Sequence, residues 1–159
     1  MSLHYIIDGY NLIKHRCFNP SSRIRDQRLA LFEFIRKEKL CGSVKNKVTV
    51  VFDGYAGDLN TGDYDIEVIF SQEQSADDKI KKIVQMQGNV RNIVVISDDR
   101  EIKDFVKLCG MKAVGIEEFI QHKKKHKMPK DDESLKPELT YSMMLQINRE
   151  LRKTWLKDP

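Results

Sequence analysis

Three largely apolar runs of this sequence each end on an aspartate, and this repeated ending restricts the chain to a small number of folds. The runs span residues 5–7, 48–52 and 93–97, and the aspartates that follow them are Asp8, Asp53 and Asp98. Nearly continuous apolar runs are typical of buried parallel strands, and an Asp-Gly pair after such a run is typical of a sharp turn. Because parallel strands end at one edge of a sheet, the three aspartates are predicted to lie close together.

Helical periodicity between these runs completes an alternation of strands and helices. We predict strands over residues 3–8, 47–53, 65–71, 92–98 and 112–116, and helices over 22–40, 75–87, 99–109 and from 117 onward. Crossovers of this length indicate a mostly parallel central sheet with helices on both faces. The fold class is therefore α/β, with three α/β/α layers and an additional helix at the C-terminus, while the strand order stays open.

The composition fits one domain with a C-terminal extension. No run among the 159 residues approaches the roughly 18 apolar residues that a membrane span needs, and the N-terminus has no signal-peptide pattern. Three widely separated cysteines exclude a disulfide framework and a zinc ligand set. We expect a cytoplasmic protein without a membrane partner.

The C-terminal region is predicted to form a linker and a helix. The domain is assigned to residues 1–127, a basic and polar linker to 128–137 and the helix to 138–159. Apolar residues at positions 139, 143, 147 and 151 form one stripe on that helix. The stripe indicates docking on the domain or on a partner, so both a monomer and a homodimer are consistent with it.

Carboxylates at the predicted sheet edge indicate a metal site. The helix after the third strand begins at the same edge and adds Asp77 and Asp78. Like charges this close raise one another's pKa unless a cation lies between them, and oxygen ligands without His or Cys favour Mg²⁺ or Mn²⁺. Because such ions activate water and polarise phosphate, the pattern predicts metal-assisted cleavage of a phosphodiester.

The sequence predicts a set of catalytic residues and a set of metal ligands. Asn11, one short turn after Asp8, is suited to hold a water or a phosphate oxygen. The catalytic residues are predicted to be Asp8, Asn11, Asp77 and Asp98; the metal ligands are predicted to be Asp8, Asp77 and Asp98, with Asp53, Asp78 and Asp99 as further candidates.

Each carboxylate also has a structural interpretation. Ser75 and Asp78 have the spacing of a capping box, which makes Asp77 the preferred metal ligand of that pair. Asp98 has an acid three residues later, as an N-cap residue does. Asp53 with the following glycine is also compatible with a turn alone.

Basic and aromatic residues near the first aspartate are candidates for binding a nucleic-acid strand. The cations are Lys14, His15, Arg16, Arg23 and Arg25, and a solvated surface is the alternative interpretation. Tyr10 and Tyr55 each adjoin a motif glycine, so their rings are candidates for stacking on an unpaired base or for filling the edge of the core. Phosphate-loop, dinucleotide-binding and nucleophile-elbow motifs are absent from the sequence.

Four short motifs, in this order and spacing, resemble those of the NYN domain, most closely its YacP-like branch within the PIN-like nucleases. They are IIDGYNLI at residues 6–13, VFDG at 51–54, SADDKI at 75–80 and SDDREI at 97–102, and the similarity spans about residues 4–120. The resemblance implies a PIN-like fold and a Mg²⁺- or Mn²⁺-dependent endoribonuclease. Its substrate would be RNA, with messenger RNA and the ribosome as candidate partners.

The resemblance also assigns roles to positions of this sequence. Asp8 corresponds to a metal ligand, Asp77 to the aspartate at the helix start, and Ser97 with Asp98 to a Ser-Asp pair. Asp78 is a second acid where the family usually has a small or polar residue, which keeps the choice between Asp77 and Asp78 open. The residues predicted to bind RNA are Lys14, Arg16, Arg23, Arg25, Tyr10 and Ser97.

Two other functions remain compatible with the sequence. A noncatalytic RNA- or ribosome-binding module would keep the fold without turnover. A magnesium-dependent phosphohydrolase for small nucleotides would use the same carboxylates on a smaller substrate.

Overall fold

A five-stranded parallel sheet forms the centre of the domain. In the computed structural model the strands are β1 (His4–Asp8), β2 (Lys47–Phe52), β3 (Glu67–Phe70), β4 (Ile93–Ile96) and β5 (Lys112–Val114). Their order in the sheet is β3-β2-β1-β4-β5, and every neighbouring pair is parallel. The predicted α/β class and the parallel sheet are confirmed.

The structure describes residues 2–20, 26–88, 90–127 and the single position 146. All strands and helices described below belong to one compact unit, Met1–Lys127. The linker predicted over 128–137 and the helix predicted over 138–159 lie outside the described residues, as do Arg23 and Arg25. No helix in the described ranges is long and apolar enough to cross a membrane.

Within residues 2–20, 26–88 and 90–127, four α-helices lie between strands and a fifth follows β5. They are α1 (Gly9–Ile13), α2 (Gln27–Lys37), α3 (Ala76–Met86), α4 (Arg100–Leu108) and α5 (Ile116–Lys127). The sequence predicted a turn where α1 forms. The helix predicted over residues 22–40 is shorter in the structure, because Asp26 is the N-cap of α2 and accepts a hydrogen bond from the N–H of Arg28.

The core lies on both faces of the sheet. Successive residues of a strand point to opposite faces, so Ile7 packs in a cluster with Phe32 of α2, whereas Ile6 packs in a second cluster with Ile80 of α3 and Ile102 of α4. All five of these side chains are completely buried. The two clusters produce the predicted three-layer arrangement.

The strand order reverses direction between β1 and β4. The chain adds β2 and β3 on one side of β1 and then crosses to add β4 and β5 on the other side. In open parallel sheets, the crevice at the carboxyl ends of such a strand pair is the usual place for ligands. Asp8 ends β1 at this crevice, and Asp98 lies just beyond the end of β4.

Gly9 lets the first turn approach the core, and substituting it is expected to destabilise the protein. A Cβ at Gly9 would lie 2.3 Å from Cε1 of Phe52, a ring that is completely buried. Since overpacking of this kind costs about 1–3 kcal/mol, Gly9→Ala should lower the urea midpoint. Gly88→Ala is the matched control, because a Cβ there would have no atom within 4 Å; equal losses in both variants would contradict the steric explanation.

Candidate functional site

Asp8 is a nearly buried carboxylate at the centre of the crevice. Asp8 is 6% exposed, and its Oδ1 accepts a hydrogen bond from the N–H of Asn11 at 3.4 Å. Burial raises the pKa of Asp8 from 3.8 to about 6, the bond from Asn11 opposes this rise, and repulsion from Asp77, Asp53 and Asp99 adds to it. Four aspartates from four different segments therefore share one electrostatic environment.

Asp77 faces this group from the first turn of α3. Ser75 is the N-cap of α3 and accepts a hydrogen bond from the N–H of Asp78 at 3.1 Å. Asp77 is half-buried and Asp78 is exposed. Burial raises the pKa of Asp77, and repulsion from Asp99 and Asp53 raises it further, while Lys81 lowers it. The helix geometry thus places Asp77, and not Asp78, among the mutually repelling acids.

Asp99 and Asp98 have different surroundings although they are adjacent. Asp99 is the N-cap of α4, where Oδ1 accepts hydrogen bonds from Glu101 at 2.8 Å and Ile102 at 3.2 Å. Burial raises the pKa of Asp77, and the charge of Asp99 is the next cause of that rise. The structure therefore brings Asp99, which the sequence ranked behind Asp98, into the acidic group.

Asp98 instead connects β4 to the start of α5. Its Oδ1 accepts a hydrogen bond from the N–H of Ile116 at 2.8 Å, and its Oδ2 lies 3.2 Å from Nε2 of His15. Nδ1 of His15 accepts a hydrogen bond from the N–H of Cys17 at 3.1 Å. Because Nδ1 is an acceptor, the neutral ring carries its proton on Nε2, and this N–H donates a hydrogen bond to Asp98.

Asn11 is oriented by the backbone of Asp98. The N–H of Asp98 donates to Oδ1 of Asn11 at 3.2 Å, which joins the start of α1 to the end of β4 across the crevice. This bond orients the side-chain amide of Asn11, whose NH₂ group can donate to a ligand. This assignment suits a phosphate oxygen better than a metal ion.

Asp53 has a structural bond as well as a place among the acids. Its carboxylate accepts a hydrogen bond from the N–H of Ala76 at 2.5 Å, which ties the end of β2 to the start of α3. Gly54, with φ +94°, makes the turn that follows. The turn interpretation and the proximity to Asp8 and Asp77 both hold for this residue.

The residues predicted to bind RNA differ in their exposure to solvent. Lys14 and Arg16 are exposed, and Arg16 donates a hydrogen bond to Glu117 at 3.0 Å. Tyr10 is half-buried, with its ring edge-on to Phe52 at 5.0 Å between centroids.

Ser97 is completely buried. Its hydroxyl oxygen accepts a hydrogen bond from the N–H of Asp99 at 3.1 Å. The structure therefore places Ser97 under the turn that carries the two aspartates, and not on the surface.

The acidic group fits a hard divalent cation by its chemistry. Within the described ranges, no three His, Cys, Asp or Glu side chains are arranged so that they could hold a metal ion as they stand. The donors of Asp8, Asp53, Asp77 and Asp99 are nevertheless all carboxylate oxygens, the ligands preferred by Mg²⁺ and Mn²⁺. Burial raises the pKa of Asp8 and Asp77, and repulsion among the acids raises it further; a cation would relieve that repulsion.

Comparison with known proteins identifies relatives of this chain. The sequence model of the YacP-like NYN domain matches residues 5–157. A crystal structure of a mutant of Rae1 (YacP) from Bacillus subtilis is 22% identical, with a TM-score of 0.58, over 99% of this chain and 86% of that one. A second Rae1 (YacP) structure gives the same identity and TM-score over 97% and 82%. No curated protein sequence matches the chain.

Proposed function

Because the chain belongs to the YacP-like NYN domain family and has a PIN-like nuclease fold, we propose that it is a Mg²⁺- or Mn²⁺-dependent endoribonuclease. The observation that carries this proposal is the convergence of Asp8, Asp53, Asp77 and Asp99 at the crevice between β1 and β4. NYN domains are generally nucleases, and RNA is the substrate that the family implies. Messenger RNA, including message on the ribosome, is the proposed substrate class.

Asp8, Asp77 and Asp99 are the proposed metal ligands, with Asp53 beside them. A divalent cation held there would supply the Lewis acidity that lowers the pKa of a water and polarises a phosphate oxygen. Asp8, with a pKa of about 6, is ionised at pH 7–8 and can then bind a cation. Asp98 is assigned a positioning role through Asn11, because its own carboxylate is held by His15 and the N–H of Ile116.

Three other residues are proposed to hold the RNA strand. The NH₂ group of Asn11 donates to a nonbridging phosphate oxygen, since the amide oxygen is already bonded to Asp98. Lys14 and Arg16 are exposed on the segment that follows α1, where they can contact backbone phosphates of the same strand. This arrangement orients the scissile phosphate toward the carboxylates.

A noncatalytic RNA- or ribosome-binding module is the second candidate function. The observation that favours it is the lack, among the described residues, of a preformed metal-binding set. In such a module the fold and the exposed cations would bind RNA, and the carboxylates would have no catalytic task.

Cleavage of a 5′-labelled single-stranded RNA distinguishes the two functions. We expect products with internal cut sites in Mn²⁺ or Mg²⁺, none in EDTA, and restored cleavage when Mn²⁺ is added back. RNA binding without any metal-dependent product, on free RNA and on ribosome-bound message alike, would instead support the binding module. Phosphate release from mononucleotides without RNA cleavage would indicate a small-molecule phosphohydrolase.

A further inference from the structure

Tyr55 is an exposed aromatic residue without a ring partner. It is 67% exposed, whereas the rings of Tyr5, Tyr10 and Tyr64 each pack against a phenylalanine, at 6.1, 5.0 and 5.8 Å between centroids. No hydrogen bond or ring contact involves the Tyr55 side chain among the residues that the structure describes. Filling the edge of the core, one of the two interpretations of the sequence, therefore applies to Tyr10 and not to Tyr55.

The two residues before Tyr55 are fixed relative to the acidic group. The N–H of Gly54 donates to the hydroxyl of Ser71 at 3.1 Å, and the carbonyl of Gly54 accepts from the N–H of Gln72 at 2.8 Å. The preceding residue, Asp53, is bonded to the start of α3. Two residues span at most about 7 Å of chain, so Tyr55 is held at the rim of the proposed site.

We propose that Tyr55 is a stacking platform for an unpaired base of the RNA strand at the proposed nuclease site. Every base has a flat π face, so an exposed tyrosine binds single strands with little sequence preference. Bases inside a duplex are already stacked and paired, and they cannot take this place. The inference rests on the proposed function and assigns to Tyr55 the contact with an unpaired base.

Binding assays on the full chain test this assignment without cleavage. Anisotropy of a labelled single-stranded RNA is measured with Asp8→Asn protein in Mn²⁺, and again with otherwise wild-type protein in EDTA. Tyr55→Ala should weaken binding by about 5- to 150-fold, and Tyr55→Phe should bind as the parent does because it keeps the ring. Binding of a duplex with the same sequence should not change.

The control is another exposed apolar residue at the opposite edge of the sheet. Leu108 is 87% exposed and ends α4, which starts at the carboxyl edge and runs away from it. Leu108→Ala should bind single-stranded RNA as the parent does. An equal loss in Tyr55→Ala and Leu108→Ala would overturn the assignment, as would parental binding by Tyr55→Ala.

The outcomes separate this inference from the nuclease proposal. Weak binding by Tyr55→Ala, together with a wild-type protein that cleaves nothing, would retain the stacking platform and reject the nuclease. Metal-dependent cleavage by the wild type, together with normal binding by Tyr55→Ala, would reject only the platform. RNA binding below detection for every protein under both conditions would overturn the platform, while the cleavage assay alone decides the nuclease.

Discussion

The Asp8→Asn protein is expected to be more stable than the wild type at neutral pH while losing RNA cleavage. Burial and neighbouring acids raise the pKa of Asp8 from 3.8 to about 6, so its ionisation disfavours the folded state. Each pKa unit corresponds to about 1.36 kcal/mol, which gives a gain of about 3 kcal/mol, or roughly 6–12 °C in Tm. Cleavage should fall by at least about 100-fold, because even the loss of an outer-sphere metal partner costs 10- to 100-fold.

The stability gain has a defined pH dependence. The folded state binds the proton of Asp8 more tightly than the unfolded state, so the protonated carboxyl favours folding. In the wild type, this stabilisation by protonated Asp8 is fully present below about pH 4 and is lost as the pH rises through about 6. The advantage of Asp8→Asn over the wild type therefore appears over the same pH range. Urea unfolding of both proteins should therefore give similar stabilities at pH 4 and the full difference at pH 7.5.

Asp78→Asn is the matched control for this experiment. It removes the same charge from an exposed position, so its stability should lie within about 0.5 kcal/mol of the wild type. Mn²⁺ should raise the Tm of the wild type and of Asp78→Asn, but not that of Asp8→Asn. An Asp8→Asn protein that is less stable than the wild type at pH 7.5 would contradict the repulsion described here.

Asp77→Asn and Asp78→Asn are expected to differ strongly in activity. Asp77 belongs to the acids that repel Asp8, whereas Asp78 is exposed and only its backbone N–H bonds to Ser75. At a fixed Mn²⁺ concentration that saturates the wild type, the cleavage rate should fall by at least about 100-fold in Asp77→Asn and by less than about threefold in Asp78→Asn.

Calorimetric titration with Mn²⁺ provides an independent measurement on the same two variants. Binding should be lost in Asp77→Asn and retained in Asp78→Asn, with both proteins folded by circular dichroism. The reverse pattern would assign the metal to Asp78 and would require the first turn of α3 to rotate. Wild-type activity in both variants would remove Asp77 from the proposed ligand set.

Local patterns in the sequence were sufficient to predict the parallel sheet. The apolar runs that became β1, β2 and β4 lie next to one another in the structure, because buried parallel strands need apolar residues on both faces. Their shared carboxyl edge follows from parallel pairing alone. The resemblance to the YacP-like NYN domain, which rests on four short motifs, is confirmed by the family match over residues 5–157.

Neighbouring aspartates were harder to distinguish from sequence. Asp98 has the spacing of an N-cap residue, yet Asp99 caps α4, because a cap is set by the backbone conformation at which the helix begins. For Asp77 and Asp78, the spacing from Ser75 favoured Asp77 as the metal ligand, and in the structure Asp77 is half-buried whereas Asp78 is exposed. The spacing of a capping box therefore identifies the capping residue only when the start of the helix is known.

The sequence by itself determined which residues form the strands, and parallel pairing then places Asp8, Asp53 and Asp98 at one edge. Only the tertiary structure decided which carboxylates share an environment, because the relevant contacts join residues far apart in the chain. Asp98 bonds to the N–H of Ile116 and to His15, which leaves Asp99 to face Asp77 and Asp8. Strand formation depends on local hydrophobic patterning, whereas the direction of a side chain depends on the packing of all the elements around it.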